Sequence, residues 1–164
     1  MKKLSVLFLL LILISCGPYT RVDDFTGNTI HEGSVSTSSG LIGSSSLWLR
    51  AHRIVDPANQ ETFILRVNWS GSGWLFIEKM VLKNPTNSWT KDVSWSYYDV
   101  DRDVISGGRV SEEVPIILSR ADFLDILSQS QLNIRVYGKD SYTTFSYSSD
   151  KLDVWEKFLE TKMN

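Results

Sequence analysis

The chain has 164 residues, 17 basic and 19 acidic side chains for a net charge of −2, and one cysteine. This balance excludes a general electrostatic attraction to nucleic acid, which needs clustered excess cation. A single cysteine excludes a disulfide framework within the chain, so the fold must rest on its hydrophobic core.

The chain begins with Lys2 and Lys3, followed by Leu4 to Ile14, apolar throughout except for Ser5. A positive start and an apolar run of roughly 7–15 residues are the pattern of a secretory signal peptide. The run is too short to cross a bilayer, which takes about 20 apolar residues. At its end stands Leu13-Ile14-Ser15-Cys16, which resembles the lipobox of bacterial lipoproteins. The resemblance implies that Cys16 carries a diacylglyceryl group on sulfur. It also implies cleavage before Cys16, with small Ser15 at the cut, and acylation of the new amino terminus. Each buried methylene contributes about 0.8 kcal/mol, so two or more acyl chains hold stably where one holds marginally. Gly17 follows. By analogy with enterobacterial lipoproteins, an Asp there would favour the inner membrane. The expected location is therefore the cell envelope: in a bacterium with two membranes, the outer membrane facing the periplasm, and in one with a single membrane, the outer cell face.

Without residues 1–15 the balance is 15 basic against 19 acidic, or −4, because Lys2 and Lys3 are lost. The remaining length of about 150 residues suits one domain. A domain of that size buries roughly 68–70% of its extended-chain surface.

Residues 16–46 are rich in Ser, Thr and Gly, notably the stretch 34–40 and Gly43-Ser44-Ser45-Ser46. Their composition predicts a lipidated N-terminus and a tether. Within it, Thr20-Arg21-Val22 and Thr29-Ile30-His31 are candidates for short edge strands.

From residue 47 to 164 the sequence predicts a β-sandwich. Leu47, Leu49 and Ala51 alternate with Trp48, Arg50 and His52; Phe63, Leu65, Val67 and Trp69 alternate with polar neighbours. A period of two divides a strand into a core face and an outer face. Ser70-Gly71-Ser72-Gly73 reads as a hairpin connection into a strand over 74–83, and Asn84-Pro85-Thr86-Asn87 as the next turn. Further strands follow around Val93, Val114 to Leu118, Leu132 to Val136 and Tyr142 to Tyr147. About eight short strands at regular spacing predict an antiparallel, immunoglobulin-like sandwich. Ser119 with Asp122 three residues on predicts a capped helix near 120–128. Leu152, Trp155, Phe158 and Leu159, at helical spacing after Asp150, predict a second near 150–162.

No catalytic set can be assembled. The two histidines are His31, in the expected tether, and His52, between Arg50 and Arg53 on an expected strand. No Gly-x-Ser-x-Gly elbow, zinc-ligand spacing or phosphate loop is present. Asp99-Val100-Asp101-Arg102-Asp103 resembles the opening of an EF-hand loop. The match fails at Val104, where glycine is needed, and at Val110, where glutamate is needed. A calcium site of another geometry, using Asp99, Asp101 and Asp103 with Glu112 or Glu113, stands beside the favoured reading of a solvated hairpin. Neither a metal nor another cofactor is expected. Glu112 and Glu113 are strand neighbours and must face opposite ways, which argues against a glycosidase carboxylate pair.

The aromatics Trp89, Trp95, Tyr97 and Tyr98 cluster. Trp95 and Tyr97 fit a buried face, leaving Trp89 and Tyr98 as the candidates for a ligand or partner. Asp24-Phe25-Thr26-Gly27, Trp74-Leu75-Phe76-Ile77-Glu78 and the stretch 107–113 resemble patterns in small extracytoplasmic bacterial lipoproteins, a resemblance that implies no activity. The sequence thus predicts a lipid-anchored, non-catalytic binding or accessory subunit with the membrane and an envelope protein as partners. The alternative is a small-ligand module for envelope glycan or calcium.

Overall fold

The computed structural model describes residues 19–39, 45–95 and 99–148, with 35–39 described by their backbone. Cys16 and the signal segment, Tyr97, Tyr98 and the helix expected over 150–162 lie outside the described residues.

The protein is mainly β. Its strands are β1 (Tyr19–Val22), β2 (Thr29–Ser39), β3 (Ser45–Val55), β4 (Glu61–Gly71), β5 (Ile77–Lys83), β6 (Thr90–Ser94), β7 (Asp101–Ile105), β8 (Arg109–Leu118), β9 (Gln131–Gly138) and β10 (Tyr142–Ser148). One helix, α1 (Arg120–Leu127), separates β8 from β9. A six-stranded antiparallel sheet runs β1-β2-β3-β4-β8-β7, and a four-stranded one runs β10-β9-β5-β6. Together they form a β-sandwich.

The predicted alternation places the core. Leu47, Leu49, Ala51, Phe63, Leu65 and Val67 of the large sheet are buried. They share one hydrophobic cluster with Met80, Leu82, Leu132, Ile134, Val136 and Phe145 of the small sheet. The Tyr147 hydroxyl crosses between the sheets to donate to the Leu47 carbonyl at 2.9 Å. Burial pushes that phenol well above its ordinary pKa. Helix α1 closes one side: Phe123 stacks on Phe63 with ring centroids 5.5 Å apart. Its start is fixed as predicted, because Ser119 Oγ accepts from the Asp122 amide at 3.0 Å and donates to the Asp122 carboxylate at 2.7 Å.

Two connections differ from the sequence expectation. The Ser/Thr-rich stretch 34–39 is strand: β2 pairs with β3 along its whole length, from Thr29↔Val55 to Ser39↔Ser45. Backbone pairing depends little on side-chain polarity, and β3 supplies the partner. The stretch 70–73 is not a hairpin. β4 pairs with β3 and β8, and residues 72–76 carry the chain across to the second sheet. At the landing point, a Cβ on Gly138 would sit 1.9 Å from the Leu75 carbonyl oxygen. Only glycine lets the crossover lie this close to β9.

Candidate functional site

The crossover explains Glu112. This residue is fully buried on β8. Its carboxylate accepts from the backbone N–H groups of Leu75, Phe76 and Ile77 at 2.6, 2.8 and 3.0 Å. Arg102 Nε, 3.3 Å away, supplies the opposite charge. Three successive amides converging on one anion form a backbone nest, and Phe76 adopts φ +56° to build it. That left-handed conformation is unfavourable for a side chain with a Cβ. The charge-assisted hydrogen bonds offset it. Glu112 is therefore a structural pin, and its oxygens are already engaged.

Glu113 faces the other way. It accepts from Arg66 Nη1 at 3.0 Å and from Asn68 Nδ2 at 3.2 Å on the outer face of the large sheet. Asp101 and Asp103 are exposed on β7, in register with Glu113 and Ser111. Asp99 is exposed just before that strand. Among the described residues no group of three or more His, Cys, Asp or Glu is placed to hold a metal ion. The charges of β7 fit another role, since charged side chains on an edge strand discourage pairing with other chains. Trp89 is half-buried and packs against the core. Its Nε1 donates to Asp125 Oδ1 of α1 at 3.0 Å, so it ties the second sheet to the helix. Tyr98, its companion candidate, lies outside the described residues.

Both histidines lie on the large sheet. His31 is buried on β2, with Nδ1 2.9 Å from Thr20 Oγ1 of β1. His52 lies on the outer face of β3 near Glu32, Arg50 and Arg66. In each, Nε2 has no hydrogen-bond partner among the described residues. Burial lowers both pKa values below the ordinary 6.5, and Arg53 adds to the effect at His31.

The two outer faces differ in how their cations are held. On the large sheet, Arg50 pairs with Glu32 at 3.3 Å and Arg66 with Glu113 at 3.0 Å. On the small sheet, Lys79, Val81 and Lys83 of β5 lie beside Asn133, Arg135 and Tyr137 of β9, and Tyr142 and Thr144 of β10 come next. Among the described residues Lys79, Lys83 and Arg135 form no ion pair; the register places Asp92 on this face, and Glu78 is exposed beside Lys79 at the irregularity in β5. Aromatic rings hold two of these cations, Lys79 and Arg135, instead. The Arg135 guanidinium lies 4.4 Å from the Tyr142 ring centroid and 5.9 Å from that of Tyr137. Lys79 Nζ is 5.0 Å from the Tyr137 centroid. Arg135 Nε also donates to Thr144 Oγ1 at 3.2 Å.

Beside this cluster is a depression of about 400 Å³. Lys83, Arg135, Asn133 and Thr144 give it polar walls, while Val81, Pro85 and the Tyr137 ring give it apolar ones. Alternation in the sequence implies that Arg135 and Tyr137 point away from Ile134 and Val136. It carries no signal that β5 pairs with β9, and that pairing brings Lys79 and Lys83 alongside.

No protein-family model, curated protein or solved structure matches this chain. The functional reading therefore rests on its own residues.

Proposed function

We propose that this chain is a lipid-anchored protein of the bacterial cell envelope, acting as a non-catalytic binding or accessory subunit. It is held to the membrane through Cys16 and engages its target through the outer face of the four-stranded sheet. The anchor is supported by the lipobox resemblance. The binding face is supported by one observation above all: a chain of net negative charge gathers Lys79, Lys83 and Arg135 on one face with no ion pair among the described residues, Lys79 and Arg135 against tyrosine rings and Lys83 and Arg135 lining an open depression. Cations held this way, in a rim with aromatic faces, suit recognition of an anionic partner. Among the described residues Glu112 is committed to the backbone and His31 Nδ1 meets the Thr20 hydroxyl, so neither is proposed as a catalytic group.

The test has two halves. In cells, Cys16→Ser should move the protein from the membrane fraction to the soluble fraction. A photo-crosslinking residue at position 142, with the anchor intact, should capture one defined envelope protein. Retention of Cys16→Ser in membranes would overturn the anchor. Crosslinks from position 142 that match those from a control position on the outer face of β3 would overturn the binding face.

A further inference from the structure

The chemistry around the depression narrows the ligand class. We infer that the outer face of the four-stranded sheet binds a carboxylated sugar, such as a uronic acid unit of an anionic glycan. This inference rests on the reading of that face as the binding surface.

The cation at its centre is pre-organised. Thr144 and the Tyr142 ring fix Arg135, so little side-chain freedom is lost when its remaining N–H groups engage a ligand. A fixed planar guanidinium is the side chain best matched to a carboxylate. Lys83 lines the same depression and adds a second positive charge. Two cations without carboxylate partners among the described residues favour a ligand that brings its own.

The other walls speak for a sugar. Ser146 Oγ donates to Asn133 Oδ1 at 2.8 Å, which orients the Asn133 amide beside the depression. Asn133 Nδ2 and Thr144 Oγ1 supply the amide and hydroxyl groups that hydroxyl-bearing rings need. Val81, Pro85 and the face of Tyr137 offer an apolar patch for the C–H face of a pyranose. A volume of about 400 Å³ falls at the small-ligand end of pocket sizes.

An acidic peptide fits less well. β5 and β9 are interior strands, with neighbours on both sides. Beneath the depression they offer no free backbone edge for strand addition. A folded protein partner buries roughly 800 Å² per side, so it would use the wider sheet face around the depression and leave the depression itself to a small ligand.

The test uses the full-length protein in detergent micelles and three probes. One is a short oligogalacturonate. The second is its methyl ester, which keeps the rings and loses the charge. The third is a short poly-glutamate, which keeps the charge and loses the rings. Saturable binding of the acid oligomer, read by calorimetry, is expected, with affinity at least about tenfold weaker for each of the other probes. Arg135→Gln and Lys83→Gln should each weaken it by about tenfold. Arg120→Gln, outside the lining of the depression and paired with Glu61, should leave it unchanged. Circular dichroism on each variant separates lost binding from lost fold.

Equal binding of poly-glutamate would overturn the sugar assignment and make the face a receptor for acidic peptide. Equal binding of the ester would show that the cations do not select the ligand. Absence of saturable binding by the folded protein would overturn it outright. In each case a defined envelope protein crosslinked from position 142 would still uphold the proposed function, so the two readings fail separately.

Discussion

The two outer faces of the sandwich solve the same problem in different ways. The large sheet covers its outer face with charges that satisfy one another: Glu32 with Arg50, and Glu113 with Arg66 and Asn68. The charges of that face are spent on one another, and what it leaves exposed is apolar, Trp48 and Ile117. The small sheet leaves Lys79, Lys83 and Arg135 without ion pairs among the described residues and steadies Lys79 and Arg135 with Tyr137 and Tyr142. Cation–π contacts hold a charge in place without cancelling it. The difference teaches that charge content alone does not mark a functional face. What matters is whether the charges are already spent on each other.

The comparison can be broken at the joint between the sheets. Glu112→Ala removes the acceptor for three crossover amides and strands them in the core. A loss of about 3–5 kcal/mol is expected, as for breaking a buried charged network. Urea denaturation should show it, and a loss below about 1 kcal/mol would mean that water replaces the carboxylate. Gly138→Ala drives a methyl into the Leu75 carbonyl. It should cost about 1–3 kcal/mol, as overpacking does, and loosen the small sheet first. Hydrogen exchange should then rise in β5 and β9 before it rises in β3 and β4.

A matched pair of surface variants sharpens the contrast. Glu113→Gln weakens an ion pair and should cost about 0.2–1 kcal/mol. Lys83→Gln disturbs no ion pair among the described residues and should change stability by less than about 0.5 kcal/mol. If Lys83→Gln costs more than Glu113→Gln, the small-sheet cations are structural and the contrast fails.

The smallest effect concerns acid. His31 and His52 have folded pKa values below the ordinary 6.5. Below that value the unfolded chain binds protons that the folded one resists, so stability falls as the pH drops from about 6.5 toward the lowered values. Above about 6.5 both states are neutral and the contribution is complete. His31→Leu should flatten the dependence of the urea midpoint between about pH 7.5 and pH 5.5. An unchanged slope would assign the acid sensitivity to His52 or to the carboxylates.

Local signals carried much of the fold. Alternation in β3 and β4 identified their inner and outer faces, and Ser119 with Asp122 identified the start of α1. Non-local contacts carried the rest. Residues 70–73 look like any Gly/Ser hairpin, and what holds the crossover that follows is the carboxylate of Glu112, 35 residues beyond Ile77. Stretch 34–39 has the composition of a linker, yet β3 offers it a full ladder. The candidate site was least legible. Alternation gives Arg135 and Tyr137 an outward direction, but their neighbours Lys79 and Tyr142 arrive by pairing from either side. Trp89 stood out by residue type, and its indole serves the helix contact instead.

The early start of β1 has a consequence for reach. With stretch 34–39 woven into the sheet, Gly17 and Pro18 alone separate Cys16 from Tyr19. Fully extended, three residue steps span at most about 11 Å. A lipid on Cys16 would therefore hold the sandwich against the bilayer surface by its β1 edge. A ligand would then be met within a molecule's width of the membrane, at a fixed height.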